Sequence, residues 1–307
     1  MITGTFLDEI SHDIPHQNWG EMEWERDFQA MAAIGIKRVI LIRSGHRKWM
    51  TYPSEVLKKA EGGYMPPVDL VDMFLRLAEK YQMEFYFGMY DSGRPHWHDD
   101  YQVEPETDLM RAVVDEAWQK YGHCPSFKGW YLSAEISGRS KVVPSYRKLG
   151  KHCKAISGNL PIMISPGMSG PKALGEDLNP IANPITLKQH EKEWNENMAQ
   201  ISGIVDIVAF QDGHLDYEQL PDFLAVNKAL CDKYNIQCWS NVESFDRDMP
   251  IRFLPIKFEK LLLKMNAAQK AGIKEFITFE FSHFMSPNSC YKQAEGLYNR
   301  YREHFNV

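Results

Sequence analysis

The chain has 307 residues, 44% hydrophobic, 12% aromatic and 25% charged, with a formal net charge of −6. The apolar content excludes a disordered chain, and 20 Gly and 17 Pro in a mixed pattern exclude a collagen-like or coiled-coil fibre. A mild acidic balance argues against nucleic acid as the main partner, while 8 Trp, 14 Tyr and 16 Phe suit a core and also a cleft that stacks on rings.

The opening Met1-Ile2-Thr3-Gly4-Thr5-Phe6-Leu7 has no basic segment and no small-residue cleavage site, so it does not read as a signal peptide. No apolar run approaches the ~20 residues of a membrane helix, so no membrane partner is expected. The expected compartment is the cytoplasm, or the periplasm or exterior if an export signal has been removed. Cys124, Cys153, Cys231, Cys238 and Cys290 show no C-x-x-C pair and an odd count, and read as small buried residues rather than a disulfide or zinc framework.

Short β-rich runs recur eight times: Ile2–Leu7, Arg38–Ile42, Glu84–Met89, Lys128–Leu132, Pro161–Ser165, Asp206–Phe210, Gln237–Asn241 and Glu275–Phe279. Between them lie stretches with apolar residues at helical spacing, such as Phe28, Met31, Ala32 and Ile34, then Leu70, Met73, Phe74 and Leu77, and later Leu261, Leu262, Met265 and Ala268. Gly35, Gly203 and Gly272 stand where helices should end in a left-handed residue. Ala33-Ile34-Gly35-Ile36-Lys37 is echoed by Lys270-Ala271-Gly272-Ile273-Lys274. Eight β-then-α units without a linker predict one α/β domain over residues 1–307, a (β/α)8 TIM barrel, with an open doubly wound sheet as the fallback.

The connections from helix to strand are tight, whereas several from strand to helix are long: Ser44–Pro67, Asp91–Pro105, Pro166–Thr186 and Ser244–Leu254. Long loops on the face where a barrel builds its active site are the main functional signal. In the fourth strand, alternation puts Gly129, Tyr131, Ser133 and Glu135 on one face; in the seventh, Trp239, Asn241 and Glu243. In the eighth it is read as Thr278, Glu280 and Ser282 inward, with Ile277, Phe279 and Phe281 toward the helices. Three glutamates are therefore expected on one rim. Two carboxyls about 5–5.5 Å apart perform retaining glycoside hydrolysis and a wider pair inverting hydrolysis. Strands four and seven face each other, so Glu135 and Glu243 are the expected catalytic pair, with Glu280 tuning a neighbour or binding a hydroxyl.

Other strand-end candidates for sugar contacts are Arg43 and His46, Tyr90 and Asp91, Gln211, Asp212 and His214, and His283, with Asp8 and Glu9 after the first strand. Trp49, Tyr52, Tyr64 and Trp97 lie in the long loops, where stacking on sugars competes with local hydrophobic clusters. His96-Trp97-His98-Asp99-Asp100 reads as a loop, so no metal is assigned. No nucleophile-elbow pattern, G-x-G-x-x-G or P-loop occurs, so no serine hydrolase and no nucleotide cofactor are indicated.

Thr3-Gly4-Thr5-Phe6-Leu7, Gly129-Trp130-Tyr131-Leu132 leading to Glu135, Trp239-Ser240-Asn241-Val242-Glu243 and His283-Phe284-Met285-Ser286-Pro287 lie on four strands in order. Over Ile2 to Pro287 the chain resembles the bacterial domain-of-unknown-function barrels grouped with the TIM-barrel glycoside hydrolase superfamily. The resemblance implies a (β/α)8 fold and a carbohydrate-active role. The chain is more loosely similar to the clan A retaining glycosidases, which place the acid/base after strand four and the nucleophile at strand seven, the positions of Glu135 and Glu243. Those enzymes carry Asn before the acid/base to contact the sugar 2-hydroxyl; here Ala134 stands there, and Asn241 is the substitute considered.

The reading is a glycoside hydrolase of a poly- or oligosaccharide. One alternative is a metal-dependent sugar isomerase or epimerase barrel using Glu135, His214 and Glu280, against which Ser165-Pro166-Gly167 offers no carboxylate. Another is a catalytically silent carbohydrate-binding barrel. No oligomeric state follows from the sequence.

Overall fold

A computed structural model of the protein describes residues 1–11, 14–94, 102–138, 140–173, 181–248 and 253–307. Eight strands follow the eight sequence runs closely: β1 (Ile2–Leu7), β2 (Arg38–Leu41), β3 (Glu84–Gly88), β4 (Phe127–Tyr131), β5 (Ile162–Ile164), β6 (Ile207–Gln211), β7 (Gln237–Asn241) and β8 (Glu275–Thr278). Each pairs in parallel with its sequence neighbours, and β1 also pairs with β8, closing a (β/α)8 barrel. The outer ring is α1 (Glu21–Ala33), α2 (Leu70–Lys80), α3 (Val103–Tyr121), α4 (Val143–Ser157), α5 (Leu187–Ile201), α6 (Leu220–Lys233), α7 (Phe258–Lys270) and α8 (Lys292–Phe305).

Helix boundaries have local causes. The Asp69 carboxylate accepts from the Asp72 N–H at 3.0 Å to start α2, and Gly35, Gly203 and Gly272 have φ of 87°, 74° and 85°, as the expected left-handed ends require. Alternation along the strands then divides the apolar side chains into two clusters. Phe6, Ile40, Tyr86, Tyr131, Met163, Ala209, Trp239 and Ile277 fill the barrel, and a larger cluster with Trp24, Phe74, Trp130 and Trp194 packs strands against helices. Arg38 plugs the strands' starting ends, pairing with Glu84 at 2.7 Å and Glu275 at 2.9 Å beneath the Trp239 ring.

Strand β8 departs from the expected alternation. Asn241 and Ile277 are register partners, so with Asn241 inward Ile277 is inward too, and Phe279 packs on the inner cluster. Glu280 consequently faces the helices. The packed interior takes the apolar face of this strand, and the polar face is satisfied outside it.

The long loops are built. Gly45–His46, Trp49–Met50 and Tyr90–Asp91 form a small three-stranded sheet that ties the segment after β2 to the end of β3, and Glu55–Glu61 is a short helix. Phe245–Asp246 pairs with Leu254–Pro255 after β7. All five cysteines are free; Cys153 and Cys231 are buried as expected, whereas Cys124 and Cys238 are only half-buried and Cys290 is exposed because it precedes the surface start of α8. Among the described residues no helix is long and apolar enough to cross a membrane.

Candidate active site

At the carboxyl ends of the strands a cavity of about 240 Å³ opens, and Arg43, Glu135, Gln211, His214, Asn241 and Glu243 all line it. These are six of the anticipated site residues, drawn from β2, β4, β6 and β7. Arg247 completes the polar wall, and Phe6, Ile42, Phe245, Phe253 and Phe279 form the apolar one.

Glu135 is exposed at the cavity mouth. Its backbone is held from both sides: the Tyr146 hydroxyl donates to the Ala134 carbonyl, and the Gly167 N–H donates to the Ile136 carbonyl at 3.0 Å. Its charge acts on both Arg43 and Arg247, whose guanidinium groups face the cavity.

Glu243 is buried and doubly clamped. Arg247 Nε donates to its Oε2 at 2.8 Å and Nη2 to its Oε1 at 2.9 Å. Burial alone would raise the carboxyl pKa, but Arg247, Lys264 and His214 outweigh it and hold the group at about 2. Behind it, the Glu243 N–H donates to Asp212 Oδ1 at 3.1 Å, and the Lys264 ammonium donates to the same oxygen at 2.8 Å. Space is tight: a Cβ on Gly213 would lie 1.6 Å from Glu243 Oε2, so only glycine lets the carboxylate reach its fork.

Burial, with repulsion from Arg247, pushes the His214 pKa down to about 4, leaving a neutral imidazole at neutral pH. Gln211 Nε2 donates to the Ser165 carbonyl at 2.9 Å, and Asn241 Nδ2 to Ser165 Oγ at 3.0 Å. Asn241 Oδ1, although buried, has no hydrogen-bond partner among the described residues. Arg43 is steered into place by Asp91 at 3.0 Å and donates to Ser11 Oγ at 2.6 Å. Burial disfavours its charge, but Glu135, Asp91 and Asp8 more than compensate.

The remaining anticipated residues lie elsewhere. Glu280 is fully buried, accepts from the N–H groups of Ser282 and His283, and pairs with the His283 imidazole, so it caps the Phe281–Phe284 turn instead of joining the cavity. His283 also bonds the Pro15 carbonyl at 2.8 Å. Asp91 is spent on Arg43 and His46, and burial is overcome there to give a pKa of about 2. The Tyr90 hydroxyl donates to the Arg47 carbonyl at 2.8 Å. Trp49 stands over a neighbouring groove with Tyr64, while Tyr52 is buried and donates to Glu116 at 2.9 Å. Trp97 and the rest of 95–101 lie outside the described residues. With Glu280 turned away, Glu135, His214 and Glu280 do not assemble as a ligand set; among the described residues no three His, Cys, Asp or Glu side chains could hold a metal ion.

Sequence reasoning missed Arg247, Lys264 and the phenylalanine wall. The only available signal for the first was a basic residue in the long loop after β7, since no helix spans Glu243 to Arg247.

No curated protein matches the chain significantly. Among solved structures, a candidate alpha-L-fucosidase from Bacteroides thetaiotaomicron VPI-5482 is 60% identical with a TM-score of 0.94, over 100% of this chain and 93% of that one. An endo-1,4-beta-D-mannanase from Thermotoga petrophila RKU-1 shares the fold at 12% identity and TM-score 0.59, over 91% and 87% of the two chains. An intracellular xylanase from Thermoanaerobacterium saccharolyticum JW/SL-YS485 does so at 10% identity and TM-score 0.50, over 90% and 84%. The structural neighbours are thus glycosidase-like TIM barrels. The chain itself belongs to the DUF4434 family, a domain of unknown function whose pattern it matches over residues 2–291.

Proposed function

We propose that residues 1–307 form one catalytic domain, a glycoside hydrolase in which Glu243 and Glu135 are the working carboxyls. The observation that carries this reading is a buried Glu243 held ionised at about 2 on the same sugar-sized cavity as Glu135. Ionised Glu243 attacks the anomeric carbon while Glu135 donates a proton to the departing oxygen; Glu135 then takes a proton from the water that releases the sugar. Each Glu243 oxygen gives one lone pair to Arg247 and keeps another for attack. A sugar hydroxyl would satisfy the orphan Asn241 Oδ1, which suits the role left open by Ala134.

The name of the 60% identical relative supports an α-L-fucoside as substrate. So does the apolar wall: Phe245, Phe253 and Phe279 offer a dry surface for the C6 methyl of a 6-deoxy sugar. The test is release of nitrophenol from p-nitrophenyl α-L-fucoside, with product anomer read by NMR. Glu243→Gln should abolish turnover; full activity in that variant would sink the assignment.

The same Arg247 fork favours one second reading, a carbohydrate-binding barrel without turnover, because both Glu243 oxygens are already engaged. Binding of sugar with no product after long incubation would select it.

A further inference from the structure

A second depression, of about 980 Å³, opens beside the cavity between the segments that follow β1 and β2. Ser11 lines both, and its hydroxyl accepts from Arg43 at 2.6 Å. Of the seven exposed large hydrophobic side chains among the described residues, four line this groove: Trp49, Tyr64, Met65 and Val68. Trp49 and Tyr64 are each 56% exposed, with ring centroids 5.8 Å apart at 75°. The pair is held by backbone, the Tyr64 N–H donating to the Lys48 carbonyl at 2.7 Å. A contiguous exposed apolar surface with a fixed aromatic pair marks a contact site rather than ordinary surface.

Arg47 aside, the charged side chains of the groove are already paired within the protein, which favours an uncharged occupant. Arg76 is consumed by Glu21 at 2.6 Å and Asp72 at 2.9 Å, and Asp69 accepts from the Tyr121 hydroxyl at 2.6 Å. Glu9 differs. Its side chain is only 3% exposed, its Oε2 lies 2.9 Å from His16, and its Oε1 is buried with no hydrogen-bond partner among the described residues. Sugar rings present C–H faces to aromatic rings and hydroxyls to such an unfilled position.

We propose that this groove binds the continuing residues of a neutral glycan whose terminal sugar occupies the cavity, with Trp49 and Tyr64 as the stacking platform and Glu9 Oε1 receiving a hydroxyl contact. The occupant is a glycan because the groove adjoins the cavity at Ser11, so the proposal rests on the glycosidic reading of that cavity. Recognition is thereby split: the cavity selects the sugar that is released, and the groove selects the length of chain behind it.

Titration calorimetry on the Glu243→Gln chain tests this without consuming ligand. The probes are mannohexaose, xylohexaose and lacto-N-difucohexaose, each against its own monosaccharides, including L-fucose. At least one hexasaccharide should bind about tenfold or more tighter than its monosaccharides. Trp49→Ala and Tyr64→Ala should each remove about tenfold of that gain and leave monosaccharide affinity unchanged. Both side chains are exposed, so circular dichroism should show an intact fold. Equal affinity for hexasaccharides and monosaccharides, or hexasaccharide affinity untouched in both variants, overturns the proposal. Platform-dependent binding with no turnover by the wild-type chain would sink the hydrolase reading and leave the groove standing; turnover with platform-independent binding would do the reverse.

Discussion

Arg247 and Glu243 form a bidentate pair one helical turn apart in sequence, at 2.8 and 2.9 Å, in a loop that is not helical. The guanidinium also sits 4.8 Å from the Phe245 ring, so it is held on two sides. The fork fixes the protonation state of the one buried carboxylate on the cavity and aims its oxygens.

Arg247→Met should therefore act on pH dependence. The folded pKa of Glu243 is depressed, so its contribution to stability is present above the unfolded carboxylate value and is lost as pH falls toward about 2. Without the fork, burial remains and the folded value rises. The acid limb of kcat/KM should move to higher pH, with Arg247→Lys shifting it less. Leaving a buried charge unpaired should also cost about 3–5 kcal/mol in denaturant unfolding at pH 7. An unmoved acid limb would remove Arg247 from control of Glu243.

Asp27 gives the opposite slope. It is fully buried on α1, where burial lifts its carboxyl to about 7 despite hydrogen bonds from Ser286 and Ser282, and Glu280 adds repulsion. A raised folded acid binds its proton more tightly than the unfolded chain does, so stability falls as pH rises from about 4 to about 7. Asp27→Asn should flatten that fall: stability relative to wild type should improve at pH 8 and lose about 1 kcal/mol or less at pH 5. Parallel unfolding curves at the two pH values would show that Asp27 does not titrate in this window.

The barrel was legible because parallel strands buried on both faces leave compact β-branched and aromatic runs, and the tight returns at Gly35, Gly203 and Gly272 punctuate them. Face assignment was less secure where both alternating sets could be buried. In β7, Trp239, Asn241 and Glu243 were read correctly. From Glu275 to Glu280 both alternating sets, Glu275/Ile277/Phe279 and Phe276/Thr278/Glu280, mix polar and apolar residues, and only pairing of Ile277 with Asn241 decides which set is inside. Glu280 went unrecognised as a cap because its helix is four residues long and carries no periodicity. Asp91 looked like a ligand-binding group from its strand-end position, but only the folded loop reveals that Arg43 and His46 consume it.

Gly213 supplies a steric test of the fork. Adding a methyl there would put Cβ 1.6 Å from Glu243 Oε2 and 2.4 Å from Arg247 Nε, so one of them must move. Gly213→Ala should abolish turnover at a stability cost of about 1–3 kcal/mol. A crystal structure of the variant should show the Glu243–Arg247 pair displaced; an undisturbed pair with lost activity would place the cause elsewhere.

Phe279 tests what the apolar wall is for. It reaches the cavity because β8 turns that face inward, and its ring meets Phe6 at 5.9 Å and Phe245 at 6.0 Å. A dry wall of this kind prefers a methyl to a hydroxymethyl group, and such pockets discriminate single groups by roughly 10–200-fold. The wild-type chain should therefore process an α-L-fucoside in preference to the α-L-galactoside that differs only by a hydroxyl at C6. Phe279→Ala lets water into the wall and should reduce that preference by about tenfold, mainly through loss of kcat/KM on the fucoside. Competitive kinetics with the two nitrophenyl glycosides measures the ratio directly. If it is unchanged in the variant, the wall packs the barrel mouth and does not read the sugar.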